Sequence, residues 1–263
     1  MAASPSTGTV TRPTARAPAR PLVRYWDDAR APRYSLFLAL PLLVGYEVLA
    51  ALTAGSGAGA VRNGADVMLK SAFAAIAGPY GTLLFGFVVL GGGAWLFVRD
   101  VRARGWPKAG RIAAMGAESL AFALLTGIVV GSLTRGLLQK LHLLSVSGPM
   151  GELPVGTQLA LSLGAGIYEE LLFRVILTGT LLWFAQVVLG WSRGPSAVAA
   201  VIVSAVVFSA FHYVGPYGEP LQLASFTFRA IAGLWFSALF VLRGFGITAW
   251  AHALYDVWVT LAT

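Results

Sequence analysis

Long runs of apolar residues, broken by short polar connectors, dominate the chain. Seven segments carry nearly unbroken hydrophobic character, near 34–53, 80–98, 112–133, 158–183, 197–213, 227–242 and 246–262. A helix needs about 20 mostly apolar residues to cross the hydrocarbon core of a bilayer, and each segment meets or approaches that length. The pattern predicts an all-α, polytopic transmembrane helix bundle of seven spans. Residues 61–78 include Arg62, Asp66 and Lys70 and read as an interfacial helix, which would become an eighth span only if it also crossed.

Composition agrees with this reading. Of 263 residues 57% are hydrophobic and 11% charged, against roughly 25% charged in a soluble domain. The net charge of +8 invites a nucleic-acid reading, but the basic residues follow membrane topology. With the N-terminus inside, thirteen Lys or Arg fall on inner segments and four on outer ones. That bias predicts an integral membrane protein with a cytoplasmic N-terminus and no nucleic-acid partner. Residues 1–33 are rich in Pro, Ala, Thr and Arg and poor in large apolar side chains; they are expected to form a disordered basic tail, leaving 34–263 as the membrane domain. The tail has no apolar core of the kind a signal peptide carries. The absence of cysteine excludes thiolate catalysis and cysteine metal sites.

An ionised group inside the bilayer costs a few kcal/mol or more, so each one needs a partner or a task. Nine fall within the predicted spans: Glu47, Glu118, Glu169, Glu170, Arg174, His212, Arg229, His252 and Asp256. Six of these form three compact clusters. In Glu169-Glu170-Leu171-Leu172-Phe173-Arg174, Glu170 and Arg174 share a helix face at i and i+4 and are expected to pair. Glu169 is rotated about 100° away and has no partner on its own helix. A desolvated, unpaired carboxylate beside another acid suits a base that gains and releases a proton near neutrality. Phe208-Ser209-Ala210-Phe211-His212 puts an imidazole at the end of a span, and His252-Ala253-Leu254-Tyr255-Asp256 again sets two polar groups one turn apart. Depths estimated from helix rise allow the three clusters to meet. A buried salt-bridge network, an interfacial histidine and a structural His-Asp pair are the respective alternatives. Glu47, Glu118 and Arg229 are expected to pair with one another or to line the cavity, and Gly91-Gly92-Gly93 and Gly164-Ala165-Gly166 suggest close helix approach.

A free carboxylate, two imidazoles and a further acid can activate water and stabilise an oxyanion. The same groups can also ligate zinc. No GxSxG elbow supports a serine hydrolase. The three clusters resemble the motifs of the CPBP family, the intramembrane proteases related to the CAAX prenyl endopeptidase and to bacteriocin-immunity proteins: EELLFR resembles EExxxR, FSAFH resembles FxxxH, and HALYD resembles HxxxN/D. They occur in family order from 169 to 256 and place a catalytic core at about 158–262. The resemblance implies that Glu169 activates the hydrolytic water with His212, that Glu170, Arg174 and Phe208 support the motifs, and that His252 and residue 256 stabilise the oxyanion. The family commonly carries Asn where this chain has Asp256. An ionised carboxylate cannot donate, so orientation of His252 or metal binding suits Asp256 better. Zinc held by Glu169, His212, His252 and Asp256 is left open. The implied substrate is a membrane-anchored or lipidated protein or peptide. A proton-coupled transporter or channel would use similar residues, as would a non-catalytic immunity or scaffold protein retaining the fold. Against the transporter, the first half of the chain has no matching repeat.

Overall fold

A computed structural model describes residues 21–54, 61–140, 153–215 and 218–262. Among them the chain forms helices and no strands, an all-α bundle. A short helix α1 (Pro21–Ala29) precedes α2 (Pro32–Thr53) and α3 (Gly64–Ala77). Helix α4 comprises Gly81–Gly86, the wider π-helical turn Phe87–Gly91 and Gly92–Arg104. It is followed by α5 (Ala109–Lys140), α6 (Val155–Val188), α7 (Arg193–Phe211), α8 (Leu223–Arg243) and α9 (Phe245–Ala262).

Among the described residues six stretches are long and apolar enough to cross a membrane, one of them Gly64–Arg104 taken as a single unit. That stretch is folded back on itself. Phe73 and Phe85 would lie about 18 Å apart along a straight helix, yet their ring centroids are 5.4 Å apart. The reversal occurs at Gly78-Pro79-Tyr80, where Gly78 has φ +56°, a conformation open to glycine and strained for other residues. Helix α3, with 14 residues, is about 21 Å long and too short to span. It is the helix expected at 61–78, while α4 is the span expected near 80–98.

The seventh expected segment is α9, which is not among these six stretches. It packs against α2, α5, α6 and α8 and so occupies the middle of the bundle. Gly246, Ala249, Ala251 and Ala253 are buried along it, and such small residues let membrane helices approach closely. The contact with α6 is the tightest: a Cβ on Gly166 would lie 2.5 Å from the Cβ of Ala253 and 2.6 Å from the carbonyl oxygen of Ala249. Gly164 is likewise pressed against Tyr46 and Asn63. The expectation of close approach fails at Gly91 to Gly93, where nothing comes nearer than 3.8 Å. Large apolar side chains instead cover the outside: Leu52, Phe87, Ile128 and Val198 are all exposed, as a surface facing lipid requires.

The tail also departs from expectation. Residues 1–20 lie outside the described residues, but residues 21–33 are folded rather than disordered. Arg33 binds Asp28 at 2.5 Å and Asp100 at 3.1 Å, and Arg111 also pairs with Asp28. The Tyr25 hydroxyl donates to Glu118 at 2.6 Å, and Arg243 binds the same carboxylate. Burial, then the neighbouring Glu118 carboxylate, pushes the Tyr25 phenol up to about 12, so it stays a donor at neutral pH. Composition alone conceals this because the stabilising partners lie on α4, α5 and α8.

Gly166→Ala should lower stability by about 1–3 kcal/mol through overpacking, read as a lower unfolding temperature in detergent. Gly92→Ala, with no atom within 4 Å of its Cβ, should leave that temperature unchanged or raise it.

Candidate active site

The first motif lies on a π-helical stretch of α6, Ala165–Thr178. Such geometry is rare beyond a single turn and occurs often at functional sites. Within it Glu170 and Arg174 are both completely buried and form the expected pair, Nε to Oε2, at 3.3 Å. The guanidinium carbon lies 4.4 Å from the centre of the Phe208 ring and 5.7 Å from that of Phe236. Aromatic faces therefore take up part of a charge whose Nη1 and Nη2 have no hydrogen-bond partner.

Glu170 has a second partner that helix periodicity within α6 could not reveal. Its Oε1 accepts from Nδ1 of His252, on α9, at 2.7 Å. Asp256 lies on the other side of the same ring, 3.5 Å from Nε2, and Phe236 stacks on its face with centroids 4.3 Å apart. His252 is thus held at two edges and one face by residues from three helices. The His252–Asp256 proximity expected at i and i+4 is present, but Glu170 makes the shorter contact and orients the ring.

His212 ends α7. Its Nδ1 donates to the Phe208 carbonyl at 2.9 Å, which leaves Nε2 as the ring atom available for chemistry. Phe208 sits among the clusters: its centroid is 5.1 Å from that of His212 and 6.4 Å from that of His252, with Arg174 on its ring. Glu169 is 8% exposed and within electrostatic reach of His212, His252 and Arg174. The structure therefore gathers all seven candidate residues, Glu169, Glu170, Arg174, Phe208, His212, His252 and Asp256, around one region. Although no partner on its own helix binds Glu169, its Oε1 accepts from the Nδ2 amide of Asn63 at 2.8 Å. Asn63 and Phe236 went unrecognised in the sequence. Asn63 stands outside the predicted spans and caps α3 only in the folded chain, and Phe236 is one aromatic among many.

The unassigned ionisable residues do not pair with one another. Glu47 binds Arg62, Lys70 and the Tyr168 hydroxyl; Glu118 binds Arg243 and Tyr25; Arg229 binds Glu219 and Tyr213. Each partner lies in a stretch that the span-by-span count left out or treated as apolar. A zinc site would need at least three protein ligands around one point. Among the described residues no three His, Asp or Glu side chains are grouped that way, and both Glu170 oxygens, both His252 nitrogens and one Glu169 oxygen already face protein partners. The donor set as arranged does not fit a metal.

The fold and this cluster define a polytopic membrane protein with an acid-base centre buried in its bundle. Residues 151–258 match the family model described as Rce1-like, type II CAAX prenyl endopeptidase Rce1-like, consistent with the CPBP intramembrane proteases whose motifs the segment carries. The segment is similar to this family of CAAX-protease-like intramembrane endopeptidases, and the match covers less than half of the chain. Neither the curated proteins nor the solved structures yield a match.

Arg174→Ala should strand the buried Glu170 carboxylate and cost about 3–5 kcal/mol. The expected result is a sharp drop in folded yield from detergent extracts, measured by size-exclusion chromatography. A normally folded Arg174→Ala protein would contradict the pairing.

Proposed function

We propose that the protein hydrolyses peptide bonds of membrane-anchored or lipidated protein substrates, with Glu169 as the general base. The observation that carries this reading is the convergence of Glu169 with His212 and His252 from three helices. Phe208 lies against both imidazoles, and Glu169 is within reach of their charge.

The chemistry follows from the free atoms. Glu169 Oε2 takes a proton from water while the water oxygen bonds to the scissile carbonyl carbon. The carbonyl π pair moves onto oxygen, giving a tetrahedral oxyanion. His212, fixed through Nδ1, offers Nε2 to position the attacking water. His252 lies between the Glu170 and Asp256 carboxylates, a setting in which each ring nitrogen can hold a proton, and its Nε2–H serves as an oxyanion donor. Collapse restores the carbonyl and breaks the C–N bond. The proton held by Glu169 passes to the leaving nitrogen. Asp256 is assigned to holding His252, since an ionised carboxylate cannot itself donate to the oxyanion.

The test is cleavage of membrane-anchored peptides by purified protein in lipid nanodiscs. Glu169→Gln should remove the general base and lower turnover by about 10²–10⁴, with the unfolding temperature retained. An active Glu169→Gln protein would remove Glu169 from the mechanism. Because the proposed steps run through side chains alone, turnover should persist after metal stripping verified by elemental analysis. Loss of turnover on stripping, restored by zinc, would replace this scheme with a metal-assisted one.

A further inference from the structure

We infer that Asn63 is a positioning residue for Glu169, and that helix α3 therefore belongs to the active site although it lies outside the matched segment 151–258. The inference rests on the hydrolase reading above and adds to it a residue from the N-terminal half of the chain.

Asn63 is 5% exposed, and the orientation of its amide is determined twice over. Its Oδ1 accepts from the backbone N–H of Ala65 at 2.9 Å, capping α3. That contact directs the other end of the amide, Nδ2, at Glu169 Oε1, 2.8 Å away. A flipped amide would lose the cap and set oxygen against oxygen. The residue itself is anchored from behind. Its backbone N–H donates to the Tyr46 hydroxyl at 3.2 Å, and Tyr46 in turn donates to Asp66 at 2.8 Å. Asp66, fully buried, is held by Arg62 at 2.9 Å and by Lys70 at 2.6 Å. Gly164 completes the seat, since a Cβ there would come within 2.7 Å of the Asn63 Cβ.

An amide N–H can only donate, so it favours an unprotonated oxygen at Oε1. The proton that Glu169 accepts from water is thereby directed to Oε2. One contact both fixes the carboxylate plane and selects which oxygen works as the base. The other charged or titratable groups within reach of Glu169 are Glu170 and Arg174 on α6, His212 at the end of α7, and His252 and Asp256 on α9. None of them is hydrogen-bonded to Oε1.

The test uses two substitutions that keep the cap, because Ser, Asp and Asn are comparable N-cap residues. Asn63→Ser is too short to reach Glu169. Asn63→Asp reaches it but presents a carboxylate in place of a donor. Asn63→Ser should retain the wild-type unfolding temperature within a few degrees, whereas Asn63→Asp, which sets a second buried carboxylate against Glu169, should lower it; in both, KM should be unchanged and kcat per folded protein should fall by about tenfold to a hundredfold, as expected for a misplaced catalytic group. Asn63→Asp should also displace the acidic limb of the pH–kcat profile toward higher pH, since a neighbouring negative charge disfavours the ionised base, and Asn63→Ser should not. Wild-type kcat in both variants would overturn the inference. So would a loss of kcat that merely follows a loss of folded protein, which would assign Asn63 to folding alone. Glu169→Gln measured alongside separates the two levels. If that variant is active, the hydrolase reading falls; if it is inactive while both Asn63 variants match wild type, only the role of Asn63 falls.

Discussion

The buried carboxylate of Glu170 is the point on which the site depends. It is fully buried, binds Arg174 on its own helix at 3.3 Å and His252 on α9 at 2.7 Å. Removing a charge from water costs several kcal/mol even after relaxation, and the carboxylate recovers this only while both partners stay in place. Its guanidinium partner cannot deprotonate, so the acid always has a counter-ion. The imidazole is therefore held at a fixed position relative to α6. One turn earlier on α6, Gly166 lies against Ala249 and Ala253, so this close helix approach and the charged contact belong to one interface. A shift of α9 along α6 would break both together.

This arrangement departs from that of a water-soluble domain. Many large apolar side chains face outward, while Ser, Thr, His, Glu and Arg are buried inside beside small residues and aromatic rings such as Phe173, Phe208 and Phe236. Hydrophobicity gives little drive for one membrane helix to bind another, because lipid is as apolar as leucine. What selects one packing is close approach of small residues and satisfaction of polar groups. The small faces of α9 and the hydrogen bond from Trp250 to the Leu38 carbonyl, at 2.6 Å, are instances. Helix α9 can therefore carry the ionisable residues His252 and Asp256 and still be central, since most of its surface meets protein.

How much of this the sequence disclosed follows from the range of each signal. Helix periodicity is local, so the Glu170–Arg174 pair and the shared face of His252 and Asp256 were both legible, as were the spans themselves. The cost of ionised groups in hydrocarbon marked the three clusters, and their order carried the family resemblance. Contacts between distant segments left no such trace. The clamp of Glu170 on His252 joins residues on α6 and α9; Asn63 meets Glu169 across more than a hundred positions; Glu47, Glu118 and Arg229 find partners outside their own helices. The fold of residues 21–33 was hidden for the same reason: a short, polar, arginine-rich segment cannot bury enough surface alone, and its order comes from Asp100, Arg111 and Glu118.

The acid at position 256 gains a rationale from the same geometry. In the proposed hydrolysis an Asn there could donate to the oxyanion directly, as an amide has N–H groups to offer. Asp256 cannot do so when ionised, yet it lies 3.5 Å from Nε2 of His252, too far for a strong hydrogen bond and near enough for its charge to act. Glu170 already occupies Nδ1. With an acceptor beyond each nitrogen, the ring can carry two protons, and the one on Nε2, loosely held, is free to turn to a stronger acceptor as negative charge develops on the substrate. Replacing Asn by Asp thus leaves His252 as the donor in the proposed hydrolysis. The number of groups acting on the oxyanion falls from two to one, while the remaining donor is strengthened by the charge it carries.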